Sequence, residues 1–150
     1  MPQSLSFVLV HLVFSTKDRA RVLTPAITAE LYPYLASVAR DHGCECYRVG
    51  GIADHVHLAI RLSRTTTIAE LVENLKTCSS KWLKPKSPHL RHFAWQRGYA
   101  AFSTTPSALD PLLHYIETQE EHHRKYTFQD ELRVLLNKYA IEHDERYTWN

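Results

Sequence analysis

The sequence predicts an α+β fold in which an antiparallel sheet carries helices on one face. Three observations support this prediction. The chain has 150 residues, of which 44% are hydrophobic and 23% are charged, so a single domain with a buried core is expected. Apolar residues alternate with polar ones in some segments and recur at helical spacing in others. Helix-capping patterns and turn residues separate these segments.

The first strand and the first helix are predicted within residues 1–43. Residues 4–15 are rich in Leu, Val and Phe, which indicates a buried strand. Thr24 followed by Pro25 is typical of a helix start, because proline is well tolerated at the first helical position. Apolar side chains then recur at helical spacing as far as Gly43, which we interpret as the helix stop.

A hairpin is predicted next. Residues 44–49 and 54–62 each have strand character, and the second segment alternates clearly between apolar and polar residues. Gly50 and Gly51 lie between them and predict a tight turn. Adjacent strands joined in this way pair antiparallel.

A second helix and a fourth strand follow. Thr67 and Glu70 form a capping box, and the helix behind it ends before Pro85. Residues 85–92 predict a basic loop, and the aromatic-rich residues 93–103 predict a strand.

The C-terminal part is predicted to be helical. Asp110 and Pro111 indicate the start of a helix that runs to about residue 123. Residues 128–139 predict a short amphipathic helix, followed by a tail to residue 150. The first six elements are therefore in the order βαββαβ, which is the ferredoxin-like arrangement with helices on one face of the sheet. The other face would be free for a ligand or a partner.

Composition excludes several classes of protein. No stretch approaches about 18 apolar residues, which argues against a membrane span. The N-terminal residues lack the basic region of a signal peptide, so we expect a cytoplasmic location. Three cysteines, an odd number, argue against a disulfide framework. Cys44 and Cys46 have no second cysteine pair with which to complete a zinc site, so we interpret them as free thiols.

Charge is distributed unevenly along the chain. The formal net charge is only +2. Residues 61–100, however, carry eight basic side chains and two acidic ones. Such a basic segment indicates a site for a polyanion, although an ordinary solvated helix face has the same composition.

Two histidines on the third predicted strand are candidate metal ligands. Strand side chains alternate between the two faces of a sheet, so His55 and His57 point to the same side, with Ala59 and Arg61. Two imidazoles in this position can converge on one cation. The alternative is a pair of surface histidines on a half-exposed sheet.

The helix predicted after residue 110 carries a candidate nucleophile. Tyr115 and Gln119 lie one turn apart on the same face, and His122 extends that face. The Gln119 amide oxygen could complete a metal site with the two histidines. Tyr115 has an unperturbed pKa of about 10 and needs activation, which a nearby cation or base can supply. A helix-surface tyrosine is the alternative interpretation.

These motifs, taken in order, resemble the single-tyrosine HUH transposases of the smallest bacterial insertion sequences and the related REP-associated tyrosine transposases. The name HUH denotes two histidines on either side of a bulky apolar residue, here His55-Val56-His57. The resemblance runs nearly end to end and includes residues 11–17, 54–58, 75–80, 95–99 and 115–123.

The resemblance implies a chemistry for each matching residue. In such enzymes the equivalents of His55, His57 and Gln119 bind Mg²⁺ or Mn²⁺. The equivalent of Tyr115 attacks a phosphodiester in single-stranded DNA, forming a 5′-phosphotyrosine and a free 3′-hydroxyl. The resemblance also implies binding to imperfect DNA hairpins. It further implies a homodimer in which the tyrosine helix commonly serves the histidines of the other subunit.

The basic segment would then follow the DNA backbone. The residues that we expect to contact DNA are Arg61, Arg64, Lys76, Lys81, Lys84, Arg91 and Arg97. Among the nearby aromatic residues, Trp95 and Tyr99 are candidates for stacking on unpaired bases, whereas Trp82 continues an apolar stripe and is expected to be core. His122 and His123 could donate a ligand or contact a phosphate.

The resemblance also suggests a division of the chain. We expect residues 1–127 to form the transposase-like catalytic domain and residues 128–150 to form a C-terminal helical tail of the same domain. Two other functions stay open. One is a non-catalytic, domesticated nucleic-acid-binding module. The other is a metal-dependent hydrolase that uses His55 and His57 with a bound water.

Overall fold

The computed structural model describes residues 3–145, and the predicted α+β fold is confirmed. The strands are Val8–Ser15 (β1), Glu45–Ile52 (β2), His55–Leu62 (β3) and Ala100–Thr104 (β4). The helices are Pro25–Asp41 (α1), Ile68–Leu83 (α2), Leu109–Glu117 (α3), Gln119–His122 (α4) and Phe128–Lys138 (α5). The last residues of the predicted tail, 146–150, lie outside the described part of the chain.

The four strands form one antiparallel sheet in the order β2-β3-β1-β4. In the central pair, Ser15 lies opposite His55 and Val13 lies opposite His57. Directly opposed residues in antiparallel strands point to the same face. The histidine pair therefore shares its face of the sheet with Val13 and Ser15 of β1.

One face of the sheet is covered by α1 and α2. Val56, Leu58 and Ile60 of β3 are fully buried in the core on this side. Leu31 and Leu35 of α1 contribute to the same core. The predicted alternation along β3 is therefore confirmed: the apolar set points towards these helices, and the histidines point away.

The sequence analysis expected the opposite face of the sheet to be free. In the structure, the C-terminal helix α5 covers part of this face. Phe128, Leu132 and Leu136 recur one turn apart along α5 and pack against Val13 and Phe102 of the sheet. The apolar stripe of α5 needs a partner, and this sheet face supplies one. As a result, the histidine pair is enclosed by the chain itself.

The turn between β2 and β3 lies later than predicted. Gly50 and Gly51 belong to β2, and the turn is made by Ala53 and Asp54. A Cβ atom on Gly50 would lie 2.4 Å from the backbone oxygen of Ile116. Gly50 is therefore explained by the close passage of α3 over β2, and not by a turn.

The predicted fourth strand is shorter than its aromatic pattern suggests. Residues 93–99 run outside the regular sheet, although Trp95 forms an isolated bridge with Thr16. Gly98 has a φ of +83°, which is incompatible with an extended strand. The strand begins only at Ala100.

The predicted helix to residue 123 is interrupted. It forms α3 and α4, with Thr118 between them at φ −99° and ψ 21°. Backbone hydrogen bonds from Thr118 to His114 and from His122 to Thr118 still connect the two pieces. Side chains one turn apart therefore stay on the same face. Within residues 3–145, no helix has the length and apolar character needed to cross a membrane.

Candidate metal centre and active site

His55 and His57 lie at the start of β3, beneath the C-terminal helices. Both imidazoles are fully buried. The ring of Phe128 stacks on His55, with the ring centroids 4.4 Å apart. Buried imidazoles need polar partners, because an unsatisfied polar group away from water is costly. Their partners define the site.

The broken helix α3–α4 brings the predicted tyrosine and glutamine to these histidines. Gln119 is buried, and its Oε1 atom lies 3.1 Å from Nε2 of His55. Its Nε2 atom donates a hydrogen bond to the backbone oxygen of Tyr115, 3.3 Å away. This second contact holds the amide oxygen towards the histidines.

Two further residues lie at the centre of the site: Glu131, which the sequence analysis did not single out, and His123, which it named only as a residue that could donate a ligand or contact a phosphate. Oε1 of Glu131, on α5, lies 3.0 Å from Nε2 of His57, 3.4 Å from Nε2 of His55 and 3.2 Å from Nε2 of His123. Gln119 Oε1 also lies 3.0 Å from Nε2 of His123. His55, His57, His123 and Glu131 each offer one ligand atom, and these atoms lie within 4.8 Å of one another.

Contacts on the far side of the rings orient two of these imidazoles. Nδ1 of His55 lies 2.7 Å from the carboxylate of Asp54, and Nδ1 of His123 lies 2.7 Å from the backbone oxygen of Tyr126. A carboxylate and a carbonyl only accept hydrogen bonds, so each Nδ1 carries the hydrogen. The Nε2 atoms of these two imidazoles then face the oxygens of Gln119 and Glu131.

An acceptor that faces other acceptors needs a proton or a cation between them. Histidines that bind metals usually donate their other ring N–H to a carboxylate or a backbone carbonyl, as His55 and His123 do here. Imidazole nitrogen, amide oxygen and carboxylate oxygen are all ligands for divalent metals. The cluster is therefore compatible with a divalent metal site.

The charges in the cluster affect one another strongly. Burial alone would raise the pKa of Glu131, but hydrogen bonds from His123, His55 and His57 outweigh it and lower the pKa well below its usual value. Burial alone would lower the pKa of His55, but Asp54 and Glu131 raise it to about 9. Glu131 is therefore a carboxylate at neutral pH and attracts positive charge to this position.

Tyr115 is connected to the cluster through the second oxygen of Glu131. Its hydroxyl donates a hydrogen bond to Oε2 of that carboxylate. Burial raises the pKa of Tyr115 well above its usual value, and the negative charge of Glu131 raises it further. A positive charge among the His55, His57 and Glu131 atoms would counteract both effects.

His11 supports the site from β1. Its Nε2 lies 2.8 Å from Nδ1 of His57, and the two rings stack with centroids 5.0 Å apart. Burial lowers the pKa of His11 to about 3, so this imidazole stays neutral. His11 thus shares one hydrogen with His57 and fixes the orientation of that ring.

The seven basic residues named from the sequence lie in three places. Lys76 and Lys81 are on α2, which packs on the sheet face opposite the histidine pair, and Lys84 follows the last residue of this helix. Lys76 Nζ donates to the backbone oxygens of Gln96, at 2.8 Å, and of Gly98, which secures the segment before β4.

The other four basic residues lie at the end of β3 and in the connecting segments. Arg61 is at the end of β3 remote from His55, with its guanidinium 4.4 Å from the centroid of the Phe7 ring. Arg64 follows β3 and is exposed, as are Arg91 and Arg97 in the segment between α2 and β4.

The candidate stacking residues differ in exposure. Trp95 is buried, and its indole nitrogen donates to Ser79 Oγ at 2.9 Å, so it belongs to the core. Tyr99 is exposed and accessible to a ligand. Trp82 is partly buried and packs edge-on against Tyr34, in agreement with a core role.

A groove on the histidine side of the molecule carries basic residues that the sequence analysis did not single out. It has a volume of about 670 Å³ and lies between the start of α1, β2 and the α3–α4 helix. Its lining includes Arg21, Arg48, Arg124 and His123. Arg48 makes a 3.0 Å ion pair with Glu117 at the edge of the groove. The groove therefore extends as far as one member of the cluster.

The sheet, the buried histidine pair of β3 and Tyr115 all lie within a part of the chain that matches a known protein family. Residues 4–119 match the family described as "Transposase IS200 like", and the chain belongs to this family. The family match covers β1 to α3 and reaches Gln119, whereas His123 and Glu131 lie beyond it.

Individual relatives agree with this assignment. The chain is 25% identical over 116 residues to the ISDra2 transposase TnpA of Deinococcus radiodurans, a match covering 74% of this chain and 83% of the relative. The crystal structure of a transposase candidate from Deinococcus radiodurans R1 superposes with a TM-score of 0.62, at 24% identity over 79% of this chain and 98% of that one. A REP-associated tyrosine transposase bound to a REP hairpin superposes with a TM-score of 0.59, at 14% identity over 82% of this chain and 74% of that one. The two superpositions support the fold.

Proposed function

We propose that this transposase is a single-tyrosine HUH enzyme that cleaves and rejoins single-stranded DNA, with Tyr115 as the nucleophile. The observation that carries this proposal is a shared contact. The Tyr115 hydroxyl and the His57 imidazole bind opposite oxygens of the same buried carboxylate, that of Glu131. A candidate nucleophile, a carboxylate that orients its hydroxyl and a set of metal-binding atoms are thereby assembled in one cluster.

In the proposed reaction, the hydroxyl oxygen of Tyr115 attacks the phosphorus of a phosphodiester. The new bond joins that oxygen to phosphorus, and the bond from phosphorus to the 3′ oxygen breaks. The tyrosine hydroxyl, which Glu131 holds in place by a hydrogen bond, gives up one proton, and the leaving oxygen takes up one proton to become a 3′-hydroxyl, so that the reaction releases no net proton. Attack by another 3′-hydroxyl reverses these changes and joins new ends. The phosphodiester energy is retained in the phosphotyrosine, so no nucleotide cofactor is needed.

The proposed metal site includes His55, His57 and Gln119, and the metal is Mg²⁺ or Mn²⁺. Such a cation stabilises the negative charge that develops on the phosphate. The role of the protein is to orient the ligand atoms and to exclude water from the cluster. The side chains of His55, His57 and Gln119 are buried, which supports this role.

The proposed substrate is single-stranded DNA that contains an imperfect hairpin. A fold relative is bound to a REP hairpin, and the present chain has a groove that leads to His123 and is lined by three arginines and by two acidic residues, Glu117 and Glu120. We propose that Arg21, Arg48 and Arg124 contact the strand near the site. Arg61, Arg64, Lys76, Lys81, Lys84, Arg91 and Arg97 would contact more distant phosphates, with Tyr99 available for base stacking.

The proposed organisation keeps residues 1–127 as the catalytic domain and residues 128–150 as a tail of the same domain. Because α5 supplies Glu131, this tail belongs to the active site. A homodimer remains part of the proposal. Since the contacts of Tyr115 lie within its own chain, however, we propose that each subunit of such a dimer uses its own tyrosine.

The proposal is tested by trapping the covalent intermediate. A hairpin-bearing single strand with a fluorescent label is incubated with the protein and Mn²⁺, and the products are separated under denaturing conditions. We expect a labelled protein–DNA adduct that Tyr115→Phe abolishes. The matched control is Tyr34→Phe, because the Tyr34 hydroxyl lies on the opposite side of the sheet, where it donates a hydrogen bond to the backbone oxygen of Cys78.

The other outcomes contradict the proposal in distinct ways. Hairpin binding that is indifferent to chelator, without any adduct, would indicate the non-catalytic binding module. Cleavage without an adduct would indicate hydrolysis by a metal-bound water.

A further inference from the structure

The ligand set suggested by the sequence is smaller than the set of atoms that converge in the structure. His55, His57 and Gln119 supply two nitrogens and one oxygen. Two more atoms lie among these. His123 Nε2 is 3.0 Å from Gln119 Oε1. Glu131 Oε1 is 3.4 Å from His55 Nε2 and 3.0 Å from His57 Nε2. We infer that His123 and Glu131 are also metal ligands, and that the site binds a transition-metal dication with three imidazoles and a carboxylate. This inference rests on the proposed function.

The orientation of His123 supports its role as a ligand. Only 3% of its side chain is exposed, and its Nδ1 donates a hydrogen bond to the backbone oxygen of Tyr126. Its Nε2 atom therefore faces two oxygens, Gln119 Oε1 and Glu131 Oε1, neither of which can donate a hydrogen. A cation at this position satisfies all three atoms.

The position of Glu131 supports its role for a different reason. A carboxylate on the apolar face of a helix, between Phe128 and Leu132, is costly to bury unless it is paired. Glu131 is 3% exposed and nevertheless reaches three imidazoles with one oxygen. With a cation bound, the same oxygen would bind the cation, and the second oxygen would keep its contact with Tyr115.

The composition of the set predicts which metals are preferred. Imidazole suits transition metals, whereas Mg²⁺ favours oxygen ligands and retains several waters. A site with three imidazole nitrogens and two oxygens should therefore bind Mn²⁺ more tightly than Mg²⁺. Because Glu131 lies on α5 and His123 follows α4, binding should also hold the C-terminal helices against the sheet.

Metal binding, measured without DNA, tests this inference. We would titrate the full-length protein with Mn²⁺ by calorimetry and compare it with Glu131→Gln and His123→Asn. Each variant should weaken Mn²⁺ binding by roughly tenfold or more, since even the loss of a supporting contact typically costs 10- to 100-fold. The matched controls are Glu73→Gln on α2 and His114→Asn on α3, both at exposed positions, and both should bind as the wild type does.

A second measurement does not depend on the folding of any variant. Pulsed electron paramagnetic resonance of the Mn²⁺-loaded wild type detects the nitrogen nuclei that are bound to the ion. Three imidazole nitrogens are expected. Two nitrogens, together with unchanged Mn²⁺ affinity in folded Glu131→Gln or His123→Asn, would overturn the inference and leave the Tyr115 adduct unaffected. The proposed function would be contradicted by a different result: Tyr115→Phe would still form the protein–DNA adduct, whatever the number of nitrogens bound to the ion.

Discussion

The hydroxyl group of Tyr115 donates a hydrogen bond to the carboxylate of Glu131, sixteen residues further along the same chain. This contact joins α3 to α5 above the sheet. The other oxygen of the carboxylate lies 3.0 Å from His57. The candidate nucleophile and the candidate metal ligands are therefore connected within one subunit, and several predictions about assembly, stability and binding depend on this connection.

The first prediction concerns the assembly of the site. If each subunit uses its own tyrosine, mixing Tyr115→Phe with His57→Ala should not restore the covalent adduct, because neither chain contains a complete site. The two purified variants are mixed under conditions that allow subunit exchange, and adduct formation is measured on a denaturing gel. Recovery of the adduct in the mixture would show that the tyrosine serves the histidines of a second subunit.

The second prediction concerns the approach of α3 to β2. Gly50→Ala should destabilise the protein by about 1–3 kcal/mol, as is typical of overpacking, because the new Cβ would lie 2.4 Å from the Ile116 backbone oxygen. It should also reduce adduct formation, since α3 carries Tyr115. Urea unfolding measures the first effect, and the trapping assay measures the second.

A control separates this clash from backbone strain. Gly98 has a φ of +83°, but a Cβ there would meet nothing within 4 Å. Gly98→Ala should therefore cost only the strain of a left-handed residue, about 1–2 kcal/mol. Equal loss of adduct formation in both variants would argue against a specific role for the α3–β2 contact.

The third prediction is a pH dependence of stability that arises from His11. Burial lowers its pKa to about 3 in the folded protein, compared with an ordinary value of 6.5. Between these values the unfolded chain binds a proton that the folded protein excludes. The free energy of unfolding should therefore fall as the pH drops through this window, by up to about 1.4 kcal/mol per pH unit.

The measurement compares the wild type with His11→Phe in urea at several pH values between 4 and 7, with chelator present. Relative to the variant, the wild type should become progressively less stable towards pH 4. If the difference in the free energy of unfolding between the two proteins did not change with pH, His11 would take up a proton as readily in the folded protein as in the unfolded chain.

The fourth prediction concerns the exposed basic residues. If Arg97 contacts a phosphate of the single strand, Arg97→Ala should reduce the slope of log binding constant against log salt concentration by about 0.7. Arg40→Ala is the control, because Arg40 is an exposed arginine on α1 outside the proposed contacts. Fluorescence anisotropy at four salt concentrations gives the slopes, and identical slopes for the two variants would remove Arg97 from the interface.

Local patterns predicted much of the fold and part of the site. Alternation along residues 54–62 placed His55 and His57 on one face, because strand geometry depends only on adjacent residues. Helical spacing likewise placed Tyr115 and Gln119 together, and this relationship survives the interruption at Thr118.

Glu131 was not predicted as a member of the cluster, and His123 was named only as a residue that could donate a ligand or contact a phosphate, because their positions depend on how α5 docks. The apolar stripe of α5 was recognisable, but the sheet face that it covers is a long-range property. Two local signals were nevertheless present. Glu131 interrupts an apolar helix face beside Phe128 and Leu132, and His123 lies one turn beyond Gln119. Buried acidic residues of this kind usually have a partner.

The central claim is that Tyr115 becomes covalently attached to DNA in a reaction that needs a divalent metal. The most direct measurement is peptide mapping of the trapped adduct by mass spectrometry after nuclease and protease digestion. We predict a nucleotide linked through its 5′ phosphate to Tyr115, formed with Mn²⁺ and absent with chelator. Attachment to a different residue, or an unmodified Tyr115 peptide in samples where the DNA has been cleaved, would contradict the account.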